Sequence, residues 1–119
     1  MSTPFADRLI DATRRSGSPL CVGYDPFPEL FPPLFGDPRE DVSALLRFGE
    51  ALIDIAYKHT GVLKPQLGLF EPFGPEGVSA AREITSLARA RGMVTILDAK
   101  RGDIGSTAEG YARATLGAA

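Results

Sequence analysis

The chain has 119 residues, 44% of them hydrophobic, which is enough apolar side chain for one core, and nothing in it suggests a second domain. Its 13 Lys and Arg against 15 Asp and Glu leave a net charge of -2, with no basic run and no interleaved aromatics. Nucleic acid is therefore excluded as an expected partner, and any bound anion must be held by local groups. A single cysteine, Cys21, excludes an internal disulfide and a cysteine zinc cluster. No N-terminal apolar run has the form of a signal peptide or membrane span, so a cytoplasmic protein without membrane contact is the default expectation.

Phe5, Leu9 and Ala12 recur at helical spacing ahead of Ser16-Gly17-Ser18, which predicts an amphipathic helix over 4–15. Pro19 leads into a strand, LCVGYD, in which Cys21 reads as core. Pro26, Pro28, Pro32, Pro33 and Pro38 follow; they remove backbone donors and fix φ, predicting a stiff, irregular loop. Its Phe27, Leu30, Phe31, Leu34 and Phe35 need cover. From Asp41 the series Val42, Leu45, Leu46, Gly49, Leu52, Ile53, Ala56 keeps to one helical face until Gly61 ends the segment. A short strand, GVLKPQ, comes next, then a helix over 75–90 through Val78, Ala81, Ile84, Leu87 and Ala88, then the strand VTILDAK. Ser106 with Glu109 three residues on has the form of a capping box, and Ala108, Tyr111, Ala112, Thr115 and Leu116 supply a helical stripe behind it.

Strands each followed by a helix predict an α/β fold with a parallel sheet, in which chemistry gathers at the carboxyl ends of the strands. There the charges stand: Asp25 after the first strand, Lys64 in the second, Asp98, Lys100 and Asp103 after the third. Alternation along VTILDAK puts Asp98 and Lys100 on one face. Taken alone, D-x-K-x-x-D is a weak string with a structural reading as an ion network, and Asp25 is equally a turn residue bonding its own backbone. An ammonium flanked by carboxylates about 4 Å away gains roughly 4 kcal/mol at an effective dielectric near 20 and stays protonated. Lys100 therefore reads as a proton donor and not as a Schiff-base amine. Lys64 emerges at a position fixed by Pro65. Glu71, Arg101 and His59 read as a loop charge, a surface or interface contact and a solvated helix end, outside the site.

CVGYDP at 21–26, LKPQ followed by FEPFG within 63–74, and DAKRGDIGSTAEGYA at 98–112 together resemble the longer bacterial type of orotidine 5′-phosphate decarboxylase, in order along essentially the whole chain. At Leu67, Gly68 and Leu69 the chain departs from a family that often carries a small residue, alanine and an aromatic there. The resemblance implies a TIM barrel, (β/α)8. A complete barrel needs about 250 residues, so the expectation is the N-terminal portion, 1–119, of one incomplete domain: about three βα units with a leading helix. It further implies conversion of orotidine 5′-monophosphate to uridine 5′-monophosphate and CO₂, in pyrimidine biosynthesis, by a homodimer without metal or organic cofactor. Lys100, Asp98, Asp103 and Lys64 would be catalytic, and Asp25 and Lys64 would bind the nucleotide. Family phosphate loops come from later strands, so no activity is expected of this length alone. The alternatives are a Mg²⁺-dependent sugar-phosphate decarboxylase or aldolase of the same superfamily, and a noncatalytic half-barrel.

Overall fold

The arrangement is organised around β2 (Val62–Pro65), whose apolar run Val62, Leu63, Pro65 is buried. A strand this apolar is stable only with neighbours on both sides and cover on both faces. In the computed structural model, which describes residues 2–117, β2 pairs in parallel with β1 (Val22–Tyr24) and β3 (Val94–Thr95), giving the order β1-β2-β3. Helix α1 (Phe5–Ser16) precedes β1; α2 (Ser43–Ala56), α3 (Gly74–Ala90) and α4 (Gly105–Leu116) follow the three strands in turn. The fold is α/β with a parallel sheet. Of the 1–119 expected to form one domain, Met1, Ala118 and Ala119 lie outside the described residues.

Register sorts the sheet into two faces. Val22 stands beside Leu63 and Leu63 beside Thr95, while Gly23 stands beside Lys64; alternation then sends these two sets to opposite sides. Tyr24 and Leu63 join Leu45, Ile53, Phe70, Ile84 and Ala88 in the hydrophobic core under α2 and α3. The Tyr24 ring stacks edge-on against Phe48 and Phe70, with centroids 5.3 and 5.2 Å apart. Its hydroxyl donates to the Leu45 carbonyl at 2.7 Å, and burial pushes the phenol well above its usual range.

The proline-rich loop is irregular apart from two 3-10 turns, Pro28–Leu30 and Pro33–Phe35. Phe48, on the flank of the predicted α2 stripe, covers it: Phe31 and Phe35 pack on its ring at 5.2 and 5.1 Å between centroids. Leu30 and Leu34 stay uncovered.

Several expectations need correction. Helix α1 buries only Ala12 of its stripe, because it meets the sheet at one crossing, where a Cβ on Gly61 would lie 2.6 Å from the Ala12 carbonyl oxygen; Phe5 remains exposed. Val78 and Leu116 are exposed, since α3 and α4 each present a narrower face than their periodicity suggests. The capping box does not form. Helix α4 starts at Gly105, which carries Ser106 into the first turn, and Glu109 pairs with Arg113 at 2.5 Å instead. Cys21 is exposed, as β1 begins one residue after it on an outer strand. The strand predicted over VTILDAK stops early as well: its amides bond to the β2 side as far as Asp98, but its other edge has no partner strand among the described residues.

Close approach of α2 to α3 depends on Gly49, where an added Cβ would lie 2.7 Å from both Ile84 Cγ1 and Cδ1, and Ile84 is fully buried with nowhere to move. Overpacking of this kind costs about 1–3 kcal/mol, against about 1 kcal/mol gained from the higher helix propensity of alanine. Gly49→Ala is expected to lower the urea midpoint of unfolding with an unchanged slope; an equal or higher midpoint would show that α2 and α3 are free to separate.

Candidate active site

Where β2 and the strand containing Asp98 end side by side, four charged groups form a chain. Gln66 and Asp98 pair as an isolated parallel bridge, with Asp98 N donating to the Pro65 carbonyl at 3.0 Å and Leu67 N to the Asp98 carbonyl at 2.9 Å. This backbone lattice fixes where the Asp98 carboxylate emerges. Its Oδ1 accepts from the Lys100 ammonium, and its Oδ2 faces Lys64 Nζ at 3.9 Å. On its other side Lys100 Nζ is 3.4 Å from Asp103 Oδ2. That last contact is one of charge without a formed hydrogen bond: Asp103 Oδ2 is buried and has no hydrogen-bond partner among the described residues, while Oδ1 accepts from Ile104 N at 2.8 Å.

Lys64, Asp98, Lys100 and Asp103 are thus brought together, but not quite as strand alternation implies. Lys100 lies past the paired segment, in the loop before α4, so its ammonium reaches Asp98 through loop geometry and not through a shared strand face. Asp25 reaches the same rim without joining the chain. It is exposed, makes no ion pair among the described residues, and its carboxylate stands over Gly23, the register partner of Lys64. Its backbone carbonyl accepts from Phe27 N at 2.8 Å, so the turn it belongs to is closed by main chain.

Charge pairing sets the ionisation of the site. The Lys100 hydrogen bond holds the Asp98 carboxyl below its ordinary value of 3.8, against desolvation, with the charges of Lys100 and Lys64 adding to it and Gln66 contributing least. Lys100 is raised above its ordinary 10.5, first by the hydrogen bond to Asp98 and then, against desolvation, by the charges of Asp103 and Asp98. A lowered acid contributes stability that is complete above its unfolded pKa and lost as pH falls through the folded one; a raised base contributes stability complete below its unfolded pKa and lost as pH rises through the folded one. Both groups are therefore charged throughout the neutral range.

Three residues beside this chain lay outside the expected site. Gln66 is buried, and its Oε1 accepts from Gly68 N and from the Tyr111 hydroxyl, each at 3.2 Å. Its signal in the sequence was a polar residue two positions after Lys64 in a run otherwise apolar enough to be buried, where an amide must find partners. Glu71 and Arg101 pair with each other at 2.9 Å. Their separation in sequence hides this. At the family departure, Gly68 leaves room for the Tyr111 ring: a Cβ there would lie 2.7 Å from Cζ. Among the described residues no group of three or more His, Cys, Asp or Glu is arranged to hold a metal ion, and no helix is long and apolar enough to cross a membrane.

A model described as the orotidine 5′-phosphate decarboxylase / HUMPS family matches residues 18–119. The chain belongs to this family. It is 42% identical over 113 residues to an orotidine 5′-phosphate decarboxylase of Streptomyces coelicolor, covering 95% of this chain and 40% of the relative. It is 40% identical over 114 residues to that of Myxococcus xanthus, covering 96% of this chain and 38% of the relative. A crystal structure from Streptomyces avermitilis, assigned as an orotidine 5′-phosphate decarboxylase, superposes with a TM-score of 0.70 at 42% identity, over 96% of this chain and 39% of that one. The chain thus spans about 40% of the length of the curated relatives it matches.

Lys100→Met removes the hydrogen bond and the charge that lower the Asp98 carboxyl, without adding charge of its own. The Asp98 carboxyl is expected to titrate at a higher pH in the variant, read from its side-chain ¹³C shift; an unmoved midpoint would show that Lys100 is not its partner in solution.

Proposed function

We propose that the chain forms the opening three strand–helix units of a (β/α)8 barrel and carries the proton-donating half of an orotidine 5′-monophosphate decarboxylase site, in a protein that works in the cytoplasm as a homodimer. The observation that carries this reading is the Lys100 ammonium lodged between the carboxylates of Asp98 and Asp103, with Lys64 on the far oxygen of Asp98. Membership of the family and the names of its relatives support the choice of substrate.

In this mechanism Asp98 stands beside the substrate carboxylate, where like charges disfavour the bound reactant and the repulsion vanishes as CO₂ leaves. The bond between C6 and the carboxyl carbon breaks, its electron pair stays on C6, and a proton from Lys100 Nζ takes the place of CO₂. An ammonium already adjacent to the developing carbanion stabilises it electrostatically before transferring the proton. The raised pKa of Lys100 suits this role, since the donor is fully protonated at neutral pH. Lys64 keeps Asp98 oriented and meets a ribose hydroxyl, and Asp25, exposed on the same rim and free of ion pairs among the described residues, binds the ribose. In the dimer the contact between Asp103 and Lys100 would be exchanged for one with the site of a second copy. No cofactor takes part in this scheme.

In a full-length protein carrying this segment, Lys100→Ala is expected to reduce kcat for orotidine 5′-monophosphate by about 10³-fold or more, while binding of a uridine nucleotide, followed by calorimetry, persists. Near-normal turnover by the variant defeats the assignment. Loss of wild-type turnover on chelation of divalent cations would favour the Mg²⁺-dependent sugar-phosphate reading instead.

A further inference from the structure

We propose that the ion pair of Glu71 with Arg101 is a clasp that positions Lys100 against Asp98, making Glu71 and Arg101 positioning residues of the site. The purpose of the clasp rests on the reading of Lys100 as proton donor; its physical existence does not.

Lys100 needs such a device because, among the described residues, no backbone–backbone hydrogen bond holds residues 99–103. Residues 99–104 belong to no helix or strand, and Lys100 lies beyond the last amide that bonds to β2. Its carbonyl oxygen accepts a hydrogen bond from Arg101 Nη1 at 3.2 Å. The same guanidinium donates through Nη2 to Glu71 Oε1 at 2.9 Å and lies over the Tyr111 ring, 5.2 Å from its centroid. One planar fork therefore joins the Lys100 backbone, the turn Glu71–Phe73 after β2, and helix α4.

Tyr111 closes the circuit. Its hydroxyl donates to Gln66, and Gln66 is the bridge partner of Asp98. From Asp98 a continuous path runs through Gln66, Tyr111 and Arg101 to Lys100 and back to Asp98 by the ion pair. The path is short enough to close only because Gly68 and Gly110 lack side chains: a Cβ on Gly110 would collide with the Gly68 carbonyl, and one on Gly68 with the Tyr111 ring. Glu71 is the anchored end, with 13% of its side chain exposed against 62% for Arg101. A pair so open on one side adds little to overall stability. What it restricts is where the loop can go.

Arg101 bonds to Glu71 and to the Lys100 carbonyl, and neither Glu71 nor Arg101 makes a hydrogen bond or ion pair with Asp98 among the described residues. Breaking the clasp is therefore expected to reach Asp98 by letting Lys100 drift, and Arg101→Lys separates this from a direct effect of the Arg101 charge. The test is the side-chain ¹³C titration of Asp98 in the 119-residue chain, with amide spectra reporting the fold. Glu71→Gln, nearly isosteric, and Arg101→Met are each expected to raise the Asp98 midpoint by about 0.5–1 pH unit, as partial loss of a charge-assisted hydrogen bond implies. Arg101→Lys, which keeps the charge but not the fork, is expected to leave the midpoint raised. Wild-type midpoints in both Glu71→Gln and Arg101→Met overturn the proposal. So does full restoration in Arg101→Lys, which would make charge and not geometry the cause. Collapse of the folded spectrum in Glu71→Gln and Arg101→Lys overturns it too, by making the pair a stability element. Failure of the decarboxylation test with these shifts present would remove the functional reading and leave the clasp standing.

Discussion

The contact on which the rest of the arrangement depends is the ammonium of Lys100 against Asp98. A carboxylate at a strand end, side chain 22% exposed and facing two lysines, is costly to leave unpaired, and each lysine would repel the other without it. The anion between them makes the cluster coherent: Lys64 on one oxygen, Lys100 on the other, and Asp103 returning negative charge on the far side of Lys100. Ion pairs this open contribute little to holding the fold together. Their effect is to keep both charge signs fixed across neutral pH at the rim where the strands end.

What permits an open charged rim is the dryness of the opposite face. Register places Leu63 and Tyr24 towards α2 and α3, and the tight packing of Gly49 against Ile84 and of Tyr24 against Phe48 and Phe70 supplies the core. With that side closed, β2 can carry Lys64 and run on into Gln66 without exposing its apolar side chains. The same strand serves both ends of the design: an apolar spine below, and above it the bridge that aims Asp98.

Helices α2 and α3 were readable from periodicity to within a few residues, since each buries an apolar stripe, although Val78 falls off the buried face of α3. Helix α1 was readable to within one residue at each end, but its burial was not, because an amphipathic stripe records where apolar residues lie and not how much of the stripe a single crossing will cover. The capping box failed for a related reason: Ser106 and Glu109 have the right spacing, but Gly105, with a positive φ of 51°, starts the helix one residue earlier. Among the residues of the candidate site, Lys64, Asp98, Lys100 and Asp103 stood out in the sequence as charges clustered after apolar strands, and the structure brings these four charges together. Glu71 and Arg101 were not, as each taken singly has the form of an ordinary surface charge.

Composition and spacing were sufficient for the α/β class, the parallel order of strands and helices, and the identity of the charges at the strand ends, because these follow from local periodicity and from the cost of placing charge beside apolar runs. The partners of those charges followed from none of this. That Lys100 meets Asp98 from a loop, that Gln66 stands behind it, and that Arg101 reaches back over 30 positions to Glu71 depend on how closely α4 approaches the turn after β2. That distance is governed by side chains missing at Gly68 and Gly110, and an absence becomes informative only when the surfaces it separates are brought into contact.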